Sequence, residues 1–152
     1  MHKILVANRG EIALRVMRTA RAMGIATVAV YSEADRHAPH VKYADEAVLL
    51  GPAPSSESYL VMDKVIAAAK LTGADGIHPG YGFLSENSEF ANKIAAEGII
   101  FIGPGQKAIE TMGSKLFFFK QKTAYEIPMV PGIDEAITDP KKAKVIAKEI
   151  GF

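Results

Sequence analysis

Cysteine is absent from this chain of 152 residues. Disulfides, thiolate nucleophiles and cysteine-based zinc sites are therefore excluded. An excess of one charge is absent too: 18 basic against 17 acidic residues leave a formal net charge of +1. That balance gives no electrostatic footprint for nucleic acid or for an acidic membrane surface. No apolar run approaches the roughly 20 residues that span a bilayer, and no charged leader with an apolar segment precedes the first strand pattern. The expectation is a cytoplasmic protein with neither a nucleic-acid nor a membrane partner. A hydrophobic content of 49% suits a packed core, and the length suits one domain with the start of another.

The apolar pattern alternates between two periods. Lys3–Ala7 predicts a buried strand ending at Asn8-Arg9-Gly10, and Glu11–Met23 predicts a helix with Ile12, Val16, Ala20 and Met23 at helical spacing, closed by Gly24. Ala26–Tyr31 is β-branched and apolar, so the first three segments form a βαβ unit with parallel strands and a right-handed crossover. Further strands are expected at Glu46–Leu50, Gly76–His78 and Ile99–Ile102. Further helices are expected from Tyr59 to about Leu71, over Asn87–Glu97 and over Gln106–Met112. Such alternation predicts an α/β, Rossmann-like, doubly wound parallel sheet, ending near Gly113. Beyond it, Pro128, Pro131 and Gly132 mark a loop, and Asp139–Ile150 predicts a basic helix with an apolar stripe of Ala143, Ile146, Ala147 and Ile150. Residues 114–152 thus look like the opening piece of a second domain.

His78-Pro79-Gly80-Tyr81-Gly82-Phe83-Leu84-Ser85-Glu86-Asn87 is the richest stretch. It follows a strand and precedes a helix. Gly80 and Gly82 can take backbone angles closed to other residues, which allows a ligand close to the chain. In open parallel sheets ligands bind beyond the carboxyl ends of the strands, where this stretch lies. The turn Asn8-Arg9-Gly10-Glu11 stands where a dinucleotide-binding protein carries three glycines, but it has one, which speaks against NAD. Arg9 and Glu11 are expected to pair with each other.

Four blocks carry a resemblance: Ile4–Ala13, Ala44-Asp45-Glu46, Gly51-Pro52-Ala53-Pro54-Ser55 and His78–Asn87. In this order and spacing they resemble the N-terminal domain of biotin carboxylase, the ATP-grasp enzyme of acetyl-CoA, propionyl-CoA, methylcrotonyl-CoA and pyruvate carboxylases. The resemblance covers about residues 2–115 and resumes at 127–152. It implies a pre-ATP-grasp domain over 1–113 followed by the start of an ATP-grasp domain over 114–152. It also implies an ATP-dependent ligase. With magnesium or manganese, ATP phosphorylates bicarbonate to carboxyphosphate, and the carboxyl group passes to biotin on a carrier protein or domain, for use by a carboxyltransferase. Acetyl-CoA carboxylase, which supplies malonyl-CoA for fatty acid synthesis, is the default setting. The catalytic groups are expected beyond residue 152, so the isolated chain is expected to be inactive.

Within the chain, the resemblance places Lys115, after Gly113-Ser114, at ATP. A solvated lysine at a helix start is the plainer reading, which the helix dipole disfavours. It places Tyr81, Gly82 and Glu86 in the loop beside biotin and bicarbonate. The ring and hydroxyl of Tyr81 suit a flat ureido group. The plainer reading is a turn whose Ser85 and Glu86 cap the next helix. Arg15 and Arg18 match positions at or near a homodimer interface. Together with Arg21 they also form a stripe that is ordinarily a solvated helix face. His78, at a strand end before Pro79, is read as structural. His37 and His40 flank Pro39 in a loop without carboxylate support for a metal, and His2 sits at a frayed end. No metal ligand set is expected.

Leu116–Glu126 departs from the family, which has an alanine-rich helix here. Phe117, Phe118 and Phe119 would point about 100° apart on a helix and cannot share one buried face. Either the segment is a divergent helix that weakens ATP binding, or it is a sequence artefact, since Lys120–Ile127 resembles the translation of a sequencing-adapter oligonucleotide. Two other functions are carried alongside: another ATP-grasp ligase, and a non-catalytic nucleotide-binding or dimerisation module.

Overall fold

The chain opens with strand β1 (Lys3–Val6), helix α1 (Gly10–Ala22) and strand β2 (Ala26–Ser32). A single 3-10 turn and the short helix α2 (Pro39–Tyr43) lead to strand β3 (Glu46–Gly51). Helix α3 (Met62–Thr72), strand β4 (Gly76–His78), helix α4 (Ser88–Ala96), strand β5 (Ile100–Phe101) and helix α5 (Gln106–Gly113) complete the order. The structure, a computed structural model, describes residues 1–113. Lys115, the 116–126 segment and the Asp139–Ile150 helix lie outside the described residues.

All strand pairs are parallel and the sheet order is β3-β2-β1-β4-β5. The doubly wound α/β architecture is thus the one expected. Successive residues of a strand face opposite sides of the sheet, and β1 divides its residues accordingly. Leu5 and Ala7 join a core with Val28, Val30, Ile77, Val65, Phe90 and Ile94, beneath α3 and α4. Ile4 and Val6 join a smaller core with Ala13, Met17, Ala20 and Ala29, beneath α1. Helix ends follow ordinary chemistry. Gly73 closes α3 in the left-handed region at φ 64°, where glycine carries no Cβ penalty. The Asn87 side chain accepts the Phe90 N–H at the start of α4, so Asn87 is the cap rather than Ser85 or Glu86.

Four local expectations are overturned. Tyr59 and Leu60 do not open α3. They follow a 3-10 turn over Ser55–Glu57, and Tyr59 turns inward as a buried core residue. His40 is not in a loop: Pro39 sits in the first turn of α2, where a missing N–H costs nothing, and His40 is fully buried. On α1 the buried stripe is Ala13, Met17 and Ala20, whereas Met23 is 68% exposed. His2 is not frayed, since its backbone N–H meets Asp75 and its carbonyl accepts the Ala26 N–H at 2.9 Å. No helix among the described residues is long and apolar enough to cross a membrane.

Candidate functional site

Strand order reverses between β1 and β4, so the loops that leave their carboxyl ends flank the crevice where open α/β sheets take ligands. One loop is Ala7–Arg9 and the other Pro79–Asn87. The ladder continues one step past the strands, with the Ala7 N–H donating to the His78 carbonyl at 2.8 Å.

The second loop has an unusual backbone. Gly80, Gly82 and Phe83 all lie in the left-handed region, at φ 67°, 68° and 45°. The two glycines serve different ends. A Cβ on Gly80 would stand 2.7 Å from Asn8 Nδ2 and 2.9 Å from Ile12 Cγ2, whereas a Cβ on Gly82 would meet nothing within 4 Å. Gly80 is therefore packed against the protein, contrary to the expectation of ligand approach there, and Gly82 alone leaves its backbone open. Phe83 is the costly member, because a bulky residue in this region is strained. Its ring stacks on Tyr59, centroids 5.2 Å apart and planes 6° apart, and Leu84 is buried beside it in the larger core.

Asn8, 1% exposed, lies beneath the loop. Its amide nitrogen donates to the Pro79 carbonyl at 2.8 Å and the Tyr81 carbonyl at 2.9 Å, and its carbonyl oxygen accepts the Arg9 N–H at 2.9 Å. His78 Nδ1 accepts the Gly80 N–H at 3.0 Å, and burial lowers its pKa from the ordinary value. Tyr81 stands outside this frame at 69% exposure. Glu86 is exposed and makes no hydrogen bond or ion pair among the described residues. The structure thus brings Tyr81 and Gly82 together as one open edge and leaves Glu86 apart from any partner.

A polar network supports the first loop. Arg9 forks onto Asp35, with Nε 3.0 Å from Oδ2 and Nη2 3.1 Å from Oδ1; its partner is Asp35, not Glu11. Asp35 Oδ2 also accepts from the Tyr59 hydroxyl at 2.7 Å and the Ser32 hydroxyl at 3.2 Å. Burial pushes the Asp35 carboxyl up, but the Tyr59 hydrogen bond, the Arg9 charge and the other donors outweigh it and hold the pKa below its ordinary value. Tyr59, buried and facing that carboxylate, is pushed up to about 12 and stays a neutral donor. His40 Nδ1 accepts the Gly10 N–H at 3.3 Å, so its Nε2 carries the proton toward the Val30 carbonyl at 3.3 Å. Burial lowers its pKa against the raising influence of Val30 and Asp35. The N–H groups of Arg9 and Gly10 are thereby already taken by Asn8 and His40. A pyrophosphate at this turn would have to displace both.

Along α1 runs a groove of about 610 Å3 walled by Ile4, Ile12, Val16, Met23, Ile25 and Ile102, and bordered by Arg15, His78 and Tyr81. Ile12 and Met23, expected to face the core, line this groove instead, and Val16 lines it while also packing against the smaller core. The arginine stripe divides. Arg21 donates to the Tyr43 carbonyl at 2.6 Å and lies 4.0 Å over the Tyr43 ring. Arg15 and Arg18 are exposed and form no ion pair among the described residues. Asn8, Phe83 and the Asp35–Tyr59 pair were not singled out from sequence. The one local signal was a buried-strand exit carrying an amide two residues before a glycine.

A family model for the N-terminal domain of biotin carboxylase matches residues 1–109. The propionyl-CoA carboxylase alpha chain of Ruegeria pomeroyi is 55% identical over 151 residues, which are 99% of this chain and 22% of that one. The biotin carboxylase of Haemophilus influenzae is 51% identical over 153 residues, 100% of this chain and 34% of that one. The biotin carboxylase domain of the Hydrogenobacter thermophilus 2-oxoglutarate carboxylase was solved as a dimer with MgADP, ADP and bicarbonate. It superposes with a TM-score of 0.85 at 49% identity, over 99% of this chain and 33% of that one. The chain therefore spans about a fifth to a third of the length of these relatives.

Proposed function

The chain belongs to the biotin carboxylase N-terminal domain family, and from that premise we propose that it supplies one wall of a biotin carboxylation site. The whole protein is then an ATP-dependent ligase that phosphorylates bicarbonate and passes the carboxyl group to biotin on a carrier. The observation that supports this reading is the open Tyr81–Gly82 edge at the β1/β4 crevice. An exposed aromatic ring beside an unobstructed glycine backbone offers a flat ureido ring a face to lie on and peptide groups to hydrogen-bond.

The other roles follow from the same premise. Residues 1–113 act as the pre-ATP-grasp domain and 114–152 begin the ATP-grasp domain, in which Lys115 contacts ATP. Glu86, on the same rim, faces bicarbonate or a cation that binds it. Arg15 and Arg18, exposed on α1, belong to a homodimer contact. The partners are a biotin carboxyl carrier protein or domain and a carboxyltransferase. The acceptor is a short acyl-CoA or a 2-oxo acid: acetyl-CoA is the sequence expectation with pyruvate as the alternative, and relatives named for propionyl-CoA and 2-oxoglutarate widen the class.

The family resemblance places the ligands of the magnesium or manganese that such chemistry implies beyond residue 152. Among the described residues no group of three or more His, Asp or Glu side chains is placed to hold a metal ion. On the same reading, phosphoryl transfer belongs to the parts of the protein beyond these residues, and the edge described here has the narrower task of binding and orienting.

ATP hydrolysis by the protein expressed at its full encoded length tests the reading. Turnover is expected to require bicarbonate and to rise on addition of free biotin. Hydrolysis indifferent to both compounds, or none at all, contradicts it.

A further inference from the structure

We propose that Asn8 is a positioning residue for the Tyr81–Gly82 edge, a clasp that holds the loop after β4 in the shape that presents the ring. What the edge presents itself to rests on the functional reading above; the clasp rests on geometry. A carboxamide has two N–H donors and one acceptor oxygen. In Asn8 the donors reach the Pro79 and Tyr81 carbonyls at 2.8 and 2.9 Å, and the oxygen takes the Arg9 N–H at 2.9 Å. Only a nitrogen can face two carbonyl oxygens, which fixes the orientation of the side chain. Between those carbonyls the backbone turns through Gly80 at φ 67°, close enough that a Cβ there would lie 2.7 Å from the Asn8 nitrogen. Residues 79–81 are thus wrapped around one buried side chain. Beyond the edge, the stack of Phe83 on Tyr59 holds the strained φ of 45°. Tyr81 and Gly82 are the span between these two anchors.

The sheet does not need Asn8. Strands β1 and β4 are already joined at Ile4–Gly76, Leu5–Ile77 and Val6–His78, and by Ala7 to His78 at 2.8 Å. The hydrogen bonds of Asn8 go to the loop instead. Its loss should therefore change the geometry of the edge while leaving the strands paired.

Asn8→Asp keeps the shape and the acceptor for Arg9 but replaces both donors with an oxygen facing two carbonyls. Two readouts are taken on the protein at full encoded length. Backbone hydrogen exchange should accelerate roughly tenfold or more over residues 80–84, as expected for losing two net hydrogen bonds, with β1 and β4 unchanged. In bicarbonate-dependent ATP hydrolysis, KM for free biotin should rise roughly tenfold while KM for ATP stays within about twofold. Gly80→Ala approaches the same contact from the loop side and should reproduce both effects; it decides the matter if Asn8→Asp yields no folded protein. Unchanged exchange over 80–84 overturns the proposal. So does exchange that rises equally across the whole sheet, or KM values for biotin and ATP that rise together. If the unmodified protein shows no biotin-dependent turnover, the functional reading falls, and the exchange arm decides the clasp by itself.

Discussion

The two faces of the sheet are built differently. Beneath α3 and α4, large side chains close the core: Leu5, Val28, Val30, Ile77, Phe90 and Ile94 are all fully buried, and Phe90 meets Phe101 edge-on at 6.2 Å. Beneath α1 the buried residues are fewer and smaller, with three alanines among six, and a groove remains beside them. The polar apparatus is also unevenly shared. His40 and His78 lie beside α1 or on its groove, and Asn8 lies where α1 begins. The closed face provides most of the stability and one anchor of the crevice loop, the Phe83–Tyr59 stack. The other face provides the buried polar anchors, Asn8, His40 and His78. A site edge can be held rigidly by buried hydrogen bonds only if something else holds the sheet, and the closed face does that.

This division is easiest to break with core truncations. Phe90→Ala, on the closed face, should cost about 3–5 kcal/mol. Val16→Ala, on the groove, should cost about 1 kcal/mol or less. Denaturant unfolding of the two variants measures the difference, and equal losses would erase the distinction between the faces. A smaller effect comes from pH. The folded-state pKa of His40 lies below its ordinary 6.5 because burial disfavours the imidazolium, and the same holds for His78. The folded protein then binds fewer protons than the unfolded chain just below that value, so stability is fully present above pH 6.5 and falls as pH drops through it. Asp35 adds a second window: its depressed pKa gives stability above pH 3.8 that is lost as pH falls further. Thermal melts between pH 7.5 and pH 5 should show a falling Tm, with a shallower slope in His40→Gln. An identical slope would remove His40 from the explanation.

Strand runs and glycine stops were legible in the sequence. Gly76–His78 is the expected strand residue for residue, and Gly24 and Gly73 end their helices as expected. The failures share a cause, which is that tertiary contact outranked local pattern. Ile12, Val16 and Met23 have core spacing, but the sheet beneath α1 takes Ala13 and Met17, one step along, with Ala20, and leaves Ile12 and Met23 at the groove and Val16 at its edge. Arg9 pairs with Asp35, 26 residues away, and no local rule prefers that to Glu11 two positions on. Tyr59 resembles a helix-opening aromatic until the carboxylate that orders its hydroxyl is seen. At the site, the loop's place at a strand end and its glycines were readable. The separate tasks of Gly80 and Gly82 depend on Asn8, more than seventy residues earlier in the chain, and only the fold brings the two together.

The central claim is that the Tyr81–Gly82 edge receives biotin. Its most direct test is the KM for free biotin in bicarbonate-dependent ATP hydrolysis by Tyr81→Ala at full encoded length. Loss of one aromatic face predicts a rise of roughly 3- to 10-fold, with KM for ATP unchanged. A biotin KM equal to that of the unmodified protein would contradict the claim.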